Sequence, residues 1–347
     1  MIQKVQYLAM LLTSSQIFSR RVATASLKHT PKALSLSSHL NTSIYSKRNR
    51  KKYQLFSTDA LESPRESMAY DVLIVGAGPA GLGAAIRLKQ LAKSSNKDLS
   101  VCLIEKGSEV GSHILSGNVF DPRALKELFG DDVLTNDEMT EVLNTPVMED
   151  SFLIMNENSA FGVPNFLLPS QLHNAGKSYV ISLSQLCRKL GEKAEELGVE
   201  IYPGFSAAEV LYREKDGGVY GIATRDMGIG KDGKPKDTFE RGMELHARQT
   251  LFAEGARGSC SEEIITKFDL RKGKDQQTYG LGVKEVWEVP EDIHQPGFVQ
   301  HTLGWPLQSS SLKRQTFGGG FVYHEKQNSG TNLVHVGCVI VSLREIR

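Results

Sequence analysis

The first residues able to do chemistry are Gly76-Ala77-Gly78-Pro79-Ala80-Gly81. Glycines at that spacing suit a pyrophosphate. Gly76 permits a tight reversal, Gly78 removes a side chain so that phosphate oxygens reach backbone N–H groups, and Gly81 lets the next helix pack closely on a sheet. The N-terminus of that helix then meets the phosphate charge with its partial positive end. Glu105, 24 residues beyond Gly81, is an acid at the distance where a carboxylate accepts hydrogen bonds from ribose hydroxyls. A carboxylate there argues against NADP and leaves NAD and FAD open. The glycine pattern alone is a weak signal. It gains force only if a strand precedes it, a helix follows, and the acid closes the next strand.

Those elements are legible around it. Residues 70–75, Tyr-Asp-Val-Leu-Ile-Val, form a nearly continuous apolar run, as in a strand buried on both faces of a parallel sheet. Over 83–92, Ala84, Leu88 and Leu91 fall at helical spacing with Arg87 and Lys89 outward. A second buried strand over 99–104 ends at Glu105, which completes a βαβ unit. A further unit of this kind is expected from Tyr179. Ser182 and Gln185 form a capping pattern, Leu183, Leu186, Leu190, Ala194 and Leu197 an apolar stripe, and Gly198 a stop before a strand over 199–202. Residues 208–213 and 219–224 alternate about Asp216-Gly217-Gly218 as a hairpin, and a polar loop at Lys231-Asp232-Gly233 leads to a strand over 250–253. That strand breaks into Glu254-Gly255-Ala256-Arg257-Gly258-Ser259, which resembles the second FAD motif, T-x-x-A-x-G, of glutathione-reductase-like and hydroxylase-like flavoproteins. Gly255 would let backbone approach the cofactor, and the two motifs together point to FAD rather than NAD. After Lys272 the text turns to aromatics, glycines and short strands, a second and mostly β domain.

Composition sets outer bounds. The 347 residues, 40% apolar and 23% charged, describe a globular chain of one large or two ordinary domains. Cys102, Cys187, Cys260 and Cys338 lie 85, 73 and 78 residues apart, which excludes C-x-x-C zinc or iron–sulfur loops. They read as small buried hydrophobes. Residues 1–58 hold ten Lys or Arg and no acid, so the net charge of +1 hides a remainder of −9. Such a basic, Ser-rich leader has the composition of a mitochondrial or plastid transit peptide, with Lys47-Arg48-Asn49-Arg50-Lys51-Lys52 approaching a processing site. The alternative is a basic arm that binds nucleic acid. No run of 18 apolar residues occurs, so membrane contact by a helix would be peripheral.

From 70 to about 340 the sequence resembles the electron transfer flavoprotein–ubiquinone oxidoreductases, plant members most. The resemblance is carried by Gly111-Ser112-His113-Ile114-Leu115-Ser116-Gly117-Asn118-Val119, Glu200-Ile201-Tyr202-Pro203-Gly204, Lys231-Asp232-Gly233, Gly280-Leu281-Gly282-Val283-Lys284-Glu285-Val286-Trp287 and His301-Thr302-Leu303-Gly304-Trp305-Pro306-Leu307. It implies FAD, reduced electron transfer flavoprotein as donor, ubiquinone as acceptor, monotopic contact with the mitochondrial inner membrane from the matrix face, and no nucleic acid. It also implies an α/β fold: a glutathione-reductase-like FAD-binding Rossmann domain with an incomplete, antiparallel β-rich quinone-binding domain. The corresponding boundaries are a leader over 1–58, a linker over 59–69, the FAD domain over 70–150 and 173–272, a membrane-surface apolar segment over 151–172, and the quinone domain over 273–347. Cofactor contacts then fall at Gly76, Ala77, Gly78, Pro79, Ala80, Gly81, Glu105, Lys106, Ser116, Gly117 and Gly255. The segment Phe317-Gly318-Gly319-Gly320-Phe321 resembles the one whose glycines meet the quinone, which assigns Gly318 and Gly319 to ubiquinone.

The departures matter equally. The family carries a C-terminal ferredoxin-like domain with four cysteine ligands for a [4Fe–4S] cluster, a late glycine-rich segment closing the flavin site, and a second membrane-contacting stretch. This sequence contains none of the three, and residues 308–315 and 342–347 depart from the family pattern. Redox shuttling needs no catalytic acid, base or nucleophile, because the flavin carries the electrons. Besides the oxidoreductase, two readings stay open: a non-catalytic fragment lacking the iron–sulfur domain, and a soluble FAD-dependent reductase of the geranylgeranyl reductase type.

Overall fold

A computed structural model of the chain describes residues 61, 63–115, 117–135, 137–275, 277–307 and 317–341. The leader, Ser116, the 308–315 departure and the 342–347 tail lie outside the described residues. In chain order the first elements are β1 (Ser67–Val75), α1 (Pro79–Ser94), β2 (Val101–Glu105), β3 (Asn118–Phe120), α2 (Arg123–Phe129), α3 (Asp137–Thr140), β4 (Thr145–Pro146), β5 (Glu149–Met155), β6 (Ala160–Gly162) and β7 (Tyr179–Ile181). There follow α4 (Leu183–Glu196), β8 (Val199–Pro203), β9 (Ala207–Tyr212), β10 (Val219–Thr224), β11 (Met227–Ile229), β12 (Pro235–Glu240), β13 (Glu244–Phe252) and α5 (Ser259–Lys267). The strands β14 (Gly280–Glu288), β15 (Phe298–Gly304), β16 (Phe317–Lys326) and β17 (Asn332–Val341) complete the order.

The main sheet runs β8-β2-β1-β13-β10-β9. Its first four strands are parallel, while β10 pairs antiparallel with β13 and forms a hairpin with β9. Apolar side chains cover both faces, which is why 70–75 reads as a nearly continuous apolar run. Ile74, Val101 and Leu103 pack under α1 and α4 on one side. Leu73, Val75, Cys102 and Ile104 meet Ile222 and Leu245 on the other.

Helix α1 buries a different stripe from the one its spacing suggests. Leu82, Ala85, Ile86 and Ala92 are buried, Ala84 and Leu88 are partly so, and Leu91 faces solvent. The cause is Gly81, where an added Cβ would collide with the Gly76 carbonyl and lie 3.3 Å from Ile74 Cγ2. That backbone contact sets the rotation of the helix about its axis.

Residues 179–202 differ too. Helix α4 forms as expected, with Ser182 Oγ accepting from the Gln185 N–H and with Leu186, Leu190 and Ala194 buried. Strand β8 joins the main sheet, but β7 pairs antiparallel with β3 and β4 in a separate three-stranded sheet. The segment is therefore not a βαβ unit of one sheet. A second six-stranded sheet runs β14-β17-β16-β15-β5-β6. Strand β5 enters it parallel to β15, so part of the apolar 151–172 segment is built into this sheet. Val299 of β15 packs on Val147 and Val180, which links the second sheet to the small one.

Candidate cofactor site

Register aligns the sequence-predicted residues at one edge. Val75 of β1 lies beside Ile104 of β2 and Phe252 of β13, so Gly76, Glu105 and Ala253 emerge together at the carboxyl ends of three parallel strands. Chain order splits there, with β2 on one side of β1 and β13 on the other. Such a switch point opens a crevice where ligands bind in open α/β sheets. Gly76 donates its N–H to the Ile104 carbonyl at 2.9 Å, and Ala253 donates to the Val75 carbonyl at 2.8 Å. Gly76 sits at φ +106°, and a Cβ on it would lie 2.5 Å from the Ala253 carbonyl oxygen. Only glycine fits there.

The phosphate end is prepared. Gly78 caps α1 in extended conformation, Pro79 opens the helix, and no acid occupies the first turn. The partial positive charge of the helix end is thus uncompensated by a side chain, and the first-turn N–H groups lack intrahelical partners. Among the described residues nothing lies within 4 Å of the position a Cβ would take on Gly78. Open space in front of a bare helix N-terminus fits a pyrophosphate.

Glu105 has a task beyond the ribose role expected of it. Its Oε2 accepts from the Ala77 N–H at 3.0 Å and its Oε1 from the Gly107 N–H at 2.7 Å. One carboxylate thereby braces the glycine turn and the loop after β2, with lone pairs left for ribose hydroxyls. Lys106 points to solvent, and Gly107 is buried. On the other side of β1, Gly255 has φ +82° and, among the described residues, no atom within 4 Å of an added Cβ. The Glu254 carboxylate accepts from the Ser261 N–H and hydroxyl, each at 2.7 Å, at the N-terminus of α5. Sequence reasoning passed over Glu254, although an acid just ahead of a helix start was a visible signal.

The remaining predicted residues sit elsewhere. Gly117, at φ +80°, packs on Lys284 and His335 of the second sheet. Gly318 and Gly319 lie inside β16, not in a turn. Gly319 pairs with Leu303 on one side and Val339 on the other, and Gly318 pairs with Ile340. A Cβ on Gly319 would strike the Thr302 carbonyl, so the close approach of β15 by itself demands a glycine there. The structure does not bring these two glycines to the edge that holds Gly76 and Glu105.

Two family models match the chain: an NAD(P)-binding Rossmann-like domain over residues 74–129, and an ETF-QO, ubiquinone-binding model over residues 279–344. The mitochondrial electron transfer flavoprotein-ubiquinone oxidoreductase of Arabidopsis thaliana is 56% identical over 265 residues, which is 76% of this chain and 39% of the relative. The protein of the same name from Dictyostelium discoideum is 48% identical over 332 residues, 95% of this chain and 51% of the relative. The chain therefore spans about half the length of the curated relatives it matches. Among solved structures, a geranylgeranyl bacteriochlorophyll reductase-like protein from Thermoplasma acidophilum superposes with a TM-score of 0.50 at 19% identity, over 78% of this chain and 57% of that one. That likeness concerns the fold alone. Over the stretch it shares with its relatives, this chain is similar to the mitochondrial electron transfer flavoprotein-ubiquinone oxidoreductases, at 48–56% identity.

Proposed function

We propose that the chain holds FAD along the carboxyl edge of its main sheet and serves electron transfer from reduced electron transfer flavoprotein to ubiquinone in the respiratory chain. The observation that carries this reading is the convergence of the Gly76–Gly81 turn, Glu105 and the Gly255 turn on one crevice. Gly76, Ala77, Gly78, Ala80 and Gly81 present backbone to the pyrophosphate, Pro79 starts the helix without an N–H, and Glu105 accepts from the ribose. Gly255 lets the second turn close on the cofactor. Lys106, Ser116 and Gly117 are assigned to the cofactor on the family resemblance, with Gly117 against the second sheet.

FAD, when bound, supplies the redox chemistry. The protein's task is to bind and orient it and to exclude water, which calls for no side-chain acid or base. Gly318 and Gly319 receive ubiquinone, a reading supported by the family resemblance of residues 317–321 and by the ubiquinone-binding model that spans them. The exposed Phe161, Phe166 and Leu167 support contact with the matrix face of the inner membrane. Among the described residues no helix is long and apolar enough to cross a membrane.

The test is to purify the chain, record its visible spectrum and add reduced electron transfer flavoprotein. Flavin absorbance that bleaches on addition of the donor and recovers with a ubiquinone analogue supports the whole reading. Flavin that binds but ignores the donor would assign the chain to another flavin reductase. No flavin absorbance after reconstitution overturns the cofactor assignment.

A further inference from the structure

A buried charged cluster lies where the Gly117 segment meets the second sheet. Val286 of β14 and Tyr323 of β16 both stand opposite His335 of β17. Residues opposite one another share a face, as do residues two apart, so Lys284, Glu325 and His335 project from the same side. Glu325 and His335 are only 4% and 2% exposed, and the imidazole Nε2 meets the Glu325 carboxylate at 2.6 Å. Among the described residues the ring's other nitrogen, Nδ1, is buried without a hydrogen-bond partner. Lys284 Nζ donates to the Gly117 carbonyl at 2.8 Å. Burial pushes its ammonium down to about 8, against the pull of Glu325. A Cβ on Gly117 would collide with both Lys284 Nζ and His335 Nδ1. The glycine is therefore interlocked with the cluster.

The same stretch is pinned at its other end, where Ser184 Oγ donates to the Gly111 carbonyl at 2.7 Å. It leaves the main sheet's edge just after Glu105 and arrives at the second sheet at Gly117. Burying a carboxylate and an imidazole beside a half-buried ammonium is costly, and such groups are best accounted for where they select one arrangement of the parts they join.

We propose that Lys284, on the same sheet face as the Glu325–His335 pair, is a positioning residue of the cofactor site. It fixes the Gly117 peptide against the second sheet, so that the flavin end of FAD depends on it and the ADP end does not. This rests on the FAD reading above. The ADP half needs only the Gly76–Gly81 turn and Glu105, neither of which touches the cluster.

The test compares Lys284→Met and Lys284→Arg with the unaltered chain in three measurements: FAD affinity by flavin fluorescence quenching, ADP affinity by calorimetry, and ligand-free hydrogen exchange. Lys284→Met should weaken FAD roughly tenfold, about the worth of one charged hydrogen bond. It should leave ADP binding unchanged and speed exchange over Gly117–Phe120 but not over Val101–Glu105. Lys284→Arg should restore FAD affinity and slow exchange over Gly117–Phe120, with ADP binding again unchanged. Unchanged FAD affinity in Lys284→Met, or equal loss of FAD and ADP, overturns the proposal, the latter because it marks general destabilisation. If the unaltered chain binds ADP and not FAD, the cofactor reading fails by itself. Exchange then decides the interlock, with faster exchange at Gly117–Phe120 upholding it and unchanged exchange removing it.

Discussion

Two glycines three residues apart answer to different forces, and single substitutions separate them. An added Cβ on Gly81 collides with the Gly76 carbonyl, whereas one on Gly78 meets nothing within 4 Å among the described residues. Gly78 also has φ −80° and ψ −178°, open to any residue. Gly81→Ala should therefore cost about 1–3 kcal/mol of stability by overpacking, read by urea denaturation. Gly78→Ala should stay within about 0.5 kcal/mol of the unaltered protein yet bind FAD and ADP weakly, because the methyl stands where phosphate oxygens approach. Equal stability losses in the two variants would contradict this division. Glu105 is the third test. A glutamine there turns one of its two acceptors into a donor facing a backbone N–H of Ala77 or Gly107. Glu105→Gln should weaken ADP and FAD alike, by roughly tenfold or more, in calorimetric titration.

At the scale of elements, what the sequence made legible was local. The strand, turn, helix and acid of 70–105 form contiguously, and Ser182 caps α4 on Gln185 as its spacing suggests. Ser182→Ala should therefore lower stability by about 1 kcal/mol, with faster hydrogen exchange confined to the first turn of α4; an unchanged denaturation midpoint would show the cap to be idle. What stayed hidden was non-local. Strand β7 leaves the main sheet because β3 and β4, distant in sequence, offer it partners. The apolar run 152–155 reads as membrane surface until β15, some 150 residues on, pairs with it. The α1 stripe was misjudged since periodicity fixes that a helix has an apolar face but not how backbone contacts rotate it. The Lys284–Glu325–His335 cluster was invisible for the same reason: only strand register brings these three to one face.

For the molecule as a whole, buried titratable groups predict how the fold meets alkali. Burial pushes the thiols of Cys102, Cys187 and Cys260 up to about 12 from an ordinary 9.0, and the Tyr323 phenol up to about 12 from 10.0. A group whose folded value is raised favours folding fully below its unfolded value and loses that contribution as pH climbs toward the folded one. In the window from 9 to 12 the unfolded chain has released protons that the native state retains, so stability falls with pH, by up to ~1.4 kcal/mol per pH unit for each such group. Lys284 works in the opposite sense. Its folded value near 8 lies below the ordinary 10.5, so the cost of burying its charge fades as pH rises between those values. Three thiols outweigh one amine, and the net expectation is a lower urea midpoint at pH 10 than at pH 8 under reducing conditions. Lys284→Met deletes the opposing contribution and should steepen the decline. A midpoint that holds or rises toward pH 10 in the unaltered chain, or a decline left unchanged by Lys284→Met, would show that these burials do not govern alkaline stability.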